Sequence, residues 1–171
     1  MKNKNLLFAL IVGVLLVASN VAFGQQIEYL DAKPLSQAVS GNFQAGKATG
    51  EIYLPVITWG GDVPVIYGAN EGIFANEGLL NVKLFCENNF VTQVNGVIGG
   101  TTPYVRGTMG MINNANEALK AQMQELTVFY QHTFSTGGDV MVVRSHIKRI
   151  SDIKVVAHQL YGPHHDYVAN I

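Results

Sequence analysis

Four short polar segments hold the residues that could contact a small molecule. Trp59-Gly60-Gly61-Asp62 follows an apolar run, and Asn113-Asn114 opens a helix-patterned stretch. Ser135-Thr136-Gly137-Gly138-Asp139 separates "LTVFYQ" from "VMVVR", and Tyr161-Gly162-Pro163-His164-His165-Asp166 lies further on. Glycines let backbone N–H groups approach a bound group, and helix N-termini favour an anion. Ser135 and Thr136 add hydroxyls, and Trp59 and Tyr161 offer flat apolar walls with a polar tip. Asp62 and Asp139 are placed to meet an ammonium. This is the chemistry of reversible capture. Trp59, Gly60, Gly61, Asp62, Asn113, Asn114, Ser135, Thr136, Gly137, Tyr161 and His164 form the candidate ligand-binding set, with no catalytic residue.

Each segment also has a plain structural use. Gly60-Gly61-Asp62 makes a turn with Asp62 as a helix cap, Asn113 is a cap, and the Ser-Thr-Gly-Gly-Asp knot is a turn. His164 and His165 are adjacent, so they point in different directions on a helix. With His158 they do not make a tetrahedral metal set, and no metal or cofactor is expected. Cys86 alternates with Val82 and Leu84 and reads as core. There is no phosphate-cradling GxxxxGK, no GxGxxG and no nucleophile–histidine–acid order.

The N-terminus bounds the compartment. Lys2 and Lys4 precede an apolar run from Leu6 to Ala18, and Ala22-Phe23-Gly24 supplies small residues for cleavage. Residues 1–24 therefore read as a secretory signal, and the run is short of the roughly 20 residues of a membrane span. No cysteine follows to carry a lipid. The mature chain would begin near Gln25, with about 147 of the 171 residues, and reside in the periplasm. Losing two lysines takes the basic count from 11 to 9 against 12 acidic residues, a net charge of −3. That mild acidity argues against a nucleic-acid partner. One cysteine allows no intrachain disulfide, so the fold must rest on its core.

The elements that must position these loops follow from the hydrophobic rhythm. Residues 25–50 are polar, with a short helix expected at Leu35–Val39. Strands are expected at Glu51–Trp59, Leu80–Asn88, Tyr104–Ile112 and Leu126–His132. Between them helices are expected at Val63–Gly78, where apolar residues fall at helical spacing, at Phe90–Gly100 and at Asn113–Gln122, the last capped by Asn113 or Asn114. Beyond the polar knot, "DVMVVRS" and "VVAHQL" read as strands, "HIKRISDIK" as a helical turn and "YGPHHDYVANI" as the opening of a helix. Alternation of this kind predicts an α/β fold with a mainly parallel sheet flanked by helices. Ligands of such sheets sit at the carboxyl ends of the strands, where the four segments fall.

The stretch "ITWGGDVPVIYGANEGIFANEGLLNVKLF" resembles the opening of substrate-binding proteins of ABC transporters of the nitrate/sulfonate/taurine type. The family's "G-x-F", "EGL" and "V-x-L" are matched by Gly72-Ile73-Phe74, Glu77-Gly78-Leu79 and Val82-Lys83-Leu84. "VVRSHIKRISDIK" resembles its interlobe crossover, without the usual glycine turn after Asp152-Ile153-Lys154. The resemblance runs from Glu51 to Ile171. It implies a periplasmic-binding-protein type 2 lobe over 51–139, with a crossover and an incomplete second lobe over 140–171. It implies a monomer that captures a small anionic or zwitterionic organic solute, sulfonate-, taurine- or nitrate-like, in an interlobe cleft and hands it to an inner-membrane permease. It places Trp59, Gly61, Asp62, Asn113, Ser135, Thr136 and Tyr161 near that cleft. Two other readings stay open. One is an enzyme on the same scaffold, of the thiamine-pyrimidine synthase or desulfinase kind, which the secretion signal disfavours. The other is a fragment with no function of its own.

Overall fold

A computed structural model describes residues 33–46, 50–79, 81–134, 136 and 138–169. They belong to one compact unit, Ala32–Ile171. The expected signal segment, 1–24, lies outside the described residues. No helix among the described residues is long and apolar enough to cross a membrane.

The architecture is mixed α/β: a two-stranded parallel sheet flanked by helices. Helix α1, Leu35–Ala38, is the short helix expected there, and Leu35 is its buried residue. Strand β1 is Ile52–Val56 and β2 is Val82–Cys86, in register with Ile52 opposite Val82 and Val56 opposite Cys86. A parallel pair needs a crossover between its strands. Here that crossover is a one-turn 3-10 helix, Gly60–Asp62, followed by α2, Val63–Asn70, and α3, Ile73–Asn76.

The single helix expected over Val63–Gly78 is thus two. Gly72 adopts φ +70°, a left-handed conformation that ends α2 and restarts the chain as α3. Gly78, at φ +87°, is the stop read from the sequence. Gly78 N–H donates to Ala75 O and Leu79 N–H to Phe74 O, the paired bonds of a Schellman cap.

The core gathers around α4, Phe90–Ile98. Asn89 caps it by accepting from Thr92 N–H at 3.2 Å. Phe90, Gln93, Val94, Val97 and Ile98 are buried, the i, i+3, i+4, i+7, i+8 stripe of an amphipathic helix. That stripe packs with Leu35, Leu119 and Ala115. The latter two belong to α5, Met109–Lys120, which begins four residues before the expected start. Thr108, not Asn113 or Asn114, is its N-cap, with the hydroxyl accepting from Met111 N–H at 3.4 Å. The strand expected at Tyr104–Ile112 is therefore a loop and a helical first turn. The alternation of Val105, Gly107, Met109 and Met111 mimics a strand, but Thr108 offers the helix its cap.

The strands expected at Leu126–His132, in "DVMVVRS" and in "VVAHQL" do not form among the described residues. Their β-branched and aromatic side chains favour a pleated surface that is half-buried, and that preference needs a covering layer. Here Phe129, Val142 and Val155 stay exposed at 74%, 90% and 84%. "HIKRISDIK" keeps only a 3-10 turn at Ile150–Asp152, and the final helix, α6, is His164–Ala169. Cys86 is exposed rather than core. Alternation along β2 breaks at its end, where Phe85 takes the half-buried place beside Leu84.

Candidate solute site at the carboxyl end of strand β1

β1 runs out through Ile57 and Thr58 into the 3-10 turn, and Asp62 folds back under it. The Asp62 carboxylate accepts Ile57 N–H on Oδ2 at 2.7 Å. Thr58 is pinned from the other strand's exit, where Asn88 Oδ1 accepts its N–H at 2.8 Å and its hydroxyl at 3.0 Å. Trp59 precedes the turn and lays its indole across Gly61. A Cβ on Gly61 would fall 1.8 Å from the ring, so any other residue there must displace the indole.

The partner of this loop comes from the segment before α5. Arg106 donates to Asp62 Oδ1 from Nε at 2.9 Å and from Nη2 at 2.6 Å. Its guanidinium carbon stands 4.7 Å from the centroid of the Trp59 ring, within cation–π range. Asp62 is 1% exposed, and the Arg106 side chain is 13% exposed. A carboxylate this buried needs both a counter-charge and hydrogen bonds, and it has them. The buried Gln93 of α4 holds the arginine's backbone by accepting Arg106 N–H at 3.0 Å, while its amide donates to Glu87 O at 2.8 Å. Trp59 itself remains 43% exposed. The result is a partly exposed indole that contacts Gly61 and the Arg106 guanidinium, and a guanidinium that is fixed on two sides. Such a pair can hydrogen-bond an oxyanion and seat a flat body, and it contains no nucleophile.

The structure brings Trp59, Gly61 and Asp62 together and adds Arg106. Gly60 shares their turn, with open space where a side chain would stand. Asn113 and Asn114 lie inside α5 rather than at its start. Thr136 is exposed, and Ser135 and Gly137 lie outside the described residues. Tyr161 is a core residue whose hydroxyl donates to Lys33 O at 2.7 Å. His164 Nε2 pairs with Asp139 Oδ1 at 3.1 Å, at the exposed base of α6. His158 and His165 rings meet edge to face at 5.4 Å, and no cluster of three metal-binding side chains occurs among the described residues.

A concavity of about 140 Å³ lies elsewhere, lined by Phe43, Val97, Pro103, Leu119 and Leu126 with Glu125. None of the candidate residues lines it. Arg106 is absent from the sequence-derived set. Its signal is that it is the one basic residue between Lys83 and Lys120, set between Tyr104 and Gly107.

No protein-family model, no curated protein and no solved structure matches this chain.

Proposed function

We propose that this chain is a solute-capturing protein of the type 2 binding-protein class, acting in the periplasm as a monomer that feeds an ABC permease. Its solute is a small organic anion or zwitterion, and capture is reversible. One observation carries this reading: Arg106 is fixed by Asp62 and stacked 4.7 Å from a half-open Trp59, at the carboxyl end of a parallel strand. Open α/β sheets place their ligands at that end. The order of the "G-x-F", "EGL" and "V-x-L" motifs supports the class, and the N-terminal signal pattern supports the compartment.

The test is a thermal-shift screen of the purified protein against nitrate, sulfonates, taurine, amino acids and pyrimidines. A ligand of the native state raises the melting temperature by mass action. A dose-dependent rise that Trp59→Ala abolishes is the expected result. A cooperative melt that no solute moves would sink the proposal.

An enzyme on the same scaffold is favoured by one observation, the exposure of Cys86 opposite Val56 at the end of the ladder. A thiol nucleophile needs a base within hydrogen-bond reach, and no hydrogen bond of Cys86 with a histidine occurs among the described residues. Cys86→Ala should therefore leave solute capture unchanged.

A further inference from the structure

We infer that Arg106 is the residue that reads solute charge at this site, and that it selects an organic carboxylate with no ammonium of its own. The inference rests on the solute-capturing reading and narrows it. A guanidinium carries five N–H donors in a planar fork. In Arg106, Nε–H and one Nη2 hydrogen are spent on Asp62 Oδ1. They share one side of the plane. The opposite end, formed by Nη1 and the second Nη2 hydrogen, meets no acceptor among the described residues. Nη1 is not sealed in the interior either. Among the described residues, His165 Nδ1 is the one buried side-chain nitrogen or oxygen without a partner. The free end of the fork therefore keeps some access to solvent, within a side chain that is 13% exposed.

Two N–H groups on one planar edge match the two oxygens of a carboxylate. The fork is set before any solute arrives, held by Asp62, by the Trp59 face and, through its backbone, by Gln93. A donor fixed in advance loses little freedom on binding. Because Asp62 offsets its charge, Arg106 acts through short-range hydrogen bonds rather than through a long-range field.

The same pairing removes Asp62 as a receiver of an ammonium. Its Oδ2 accepts from Ile57 N–H, its Oδ1 from Arg106, and it is 1% exposed. An amine brought here would face Arg106, and Asp62 would have no open oxygen to receive it. The exposed part of Trp59 offers apolar surface for the rest of the molecule.

Trp59 is the only tryptophan of the chain, so its emission reports on this site alone. The test titrates the protein with benzoate and with its neutral isostere benzamide at matched ionic strength. A charge-assisted hydrogen bond makes benzoate about tenfold tighter or more. Arg106→Gln should erase that preference while the variant still melts cooperatively. If Arg106→Gln does not fold, the comparison of the two probes on the unaltered protein decides. Equal affinity for both probes, or a preference that survives in folded Arg106→Gln, overturns the inference and leaves solute capture standing. A response to taurine with none to benzoate does the same. Silence toward these probes and toward the whole thermal-shift panel overturns both.

Discussion

Asp62 and Arg106 lie 44 residues apart in the chain and meet through two N–H donors on one carboxylate oxygen. The contact ties the exit of β1 to the segment that leads into α5. Both partners are largely buried, so the loss of either leaves a charge without its counterpart. Breaking such a pair costs about 3–5 kcal/mol in a sealed interior. Arg106 retains some access to water, which places Asp62→Ala near the lower end. Asp62→Asn keeps the shape and an acceptor for Ile57 N–H, so it should cost less than Asp62→Ala. Urea unfolding of the two variants measures this, and equal midpoints to the unaltered protein would show that the pair is dispensable.

Gly61 makes a different prediction. A methyl group there collides with the Trp59 ring, but the ring is half-exposed and can swing outward. Stability then falls only by the lost stacking with Arg106, about 0.5–1 kcal/mol. The emission of Trp59 should move to longer wavelength as the indole enters water, and solute capture should weaken with it. An unshifted emission spectrum for Gly61→Ala would mean that the indole does not rest on the turn.

The start of α5 can be tested the same way. Thr108→Ala removes a capping hydroxyl and should cost about 1 kcal/mol. Asn113→Ala and Asn114→Ala, inside the helix, should stay within about 0.5 kcal/mol. The reverse order in chemical denaturation would restore the asparagines as the cap.

That segment also shows how far the sequence can be read. Elements with a strong internal signal were legible: the helix that begins at Phe90, the glycine stop at Gly78 and the short helix at Leu35. Each is fixed by residues within one or two turns of itself. The strands expected at Leu126–His132 and in "DVMVVRS" depend instead on a partner ladder and a covering layer, which no local pattern specifies. The site divides likewise. The turn Trp59–Asp62 was legible because its glycines and aromatic are adjacent, whereas Arg106 reaches it only through the fold. Tyr161 has the side chain of a binding wall, but its hydroxyl found Lys33 O and its ring found the core.

Tyr53 of β1 donates its hydroxyl to Glu51 Oε2 at 2.5 Å. That hydrogen bond, followed by repulsion between a phenolate and the Glu51 carboxylate, raises the tyrosine above its ordinary value of 10.0. The folded chain thus favours the neutral phenol more than the unfolded chain does. The contribution to stability is complete below the ordinary value and is lost as pH rises through the higher folded value. Tyr53 is solvent-facing, so the effect is confined to strongly alkaline solution and screened by salt. Glu51→Gln removes the negative charge and should return Tyr53 toward its ordinary titration. Phenolate absorbance follows this directly, with Tyr53→Phe identifying the component among the seven tyrosines. If Glu51→Gln leaves that component where it was, the carboxylate is not what holds the phenol neutral.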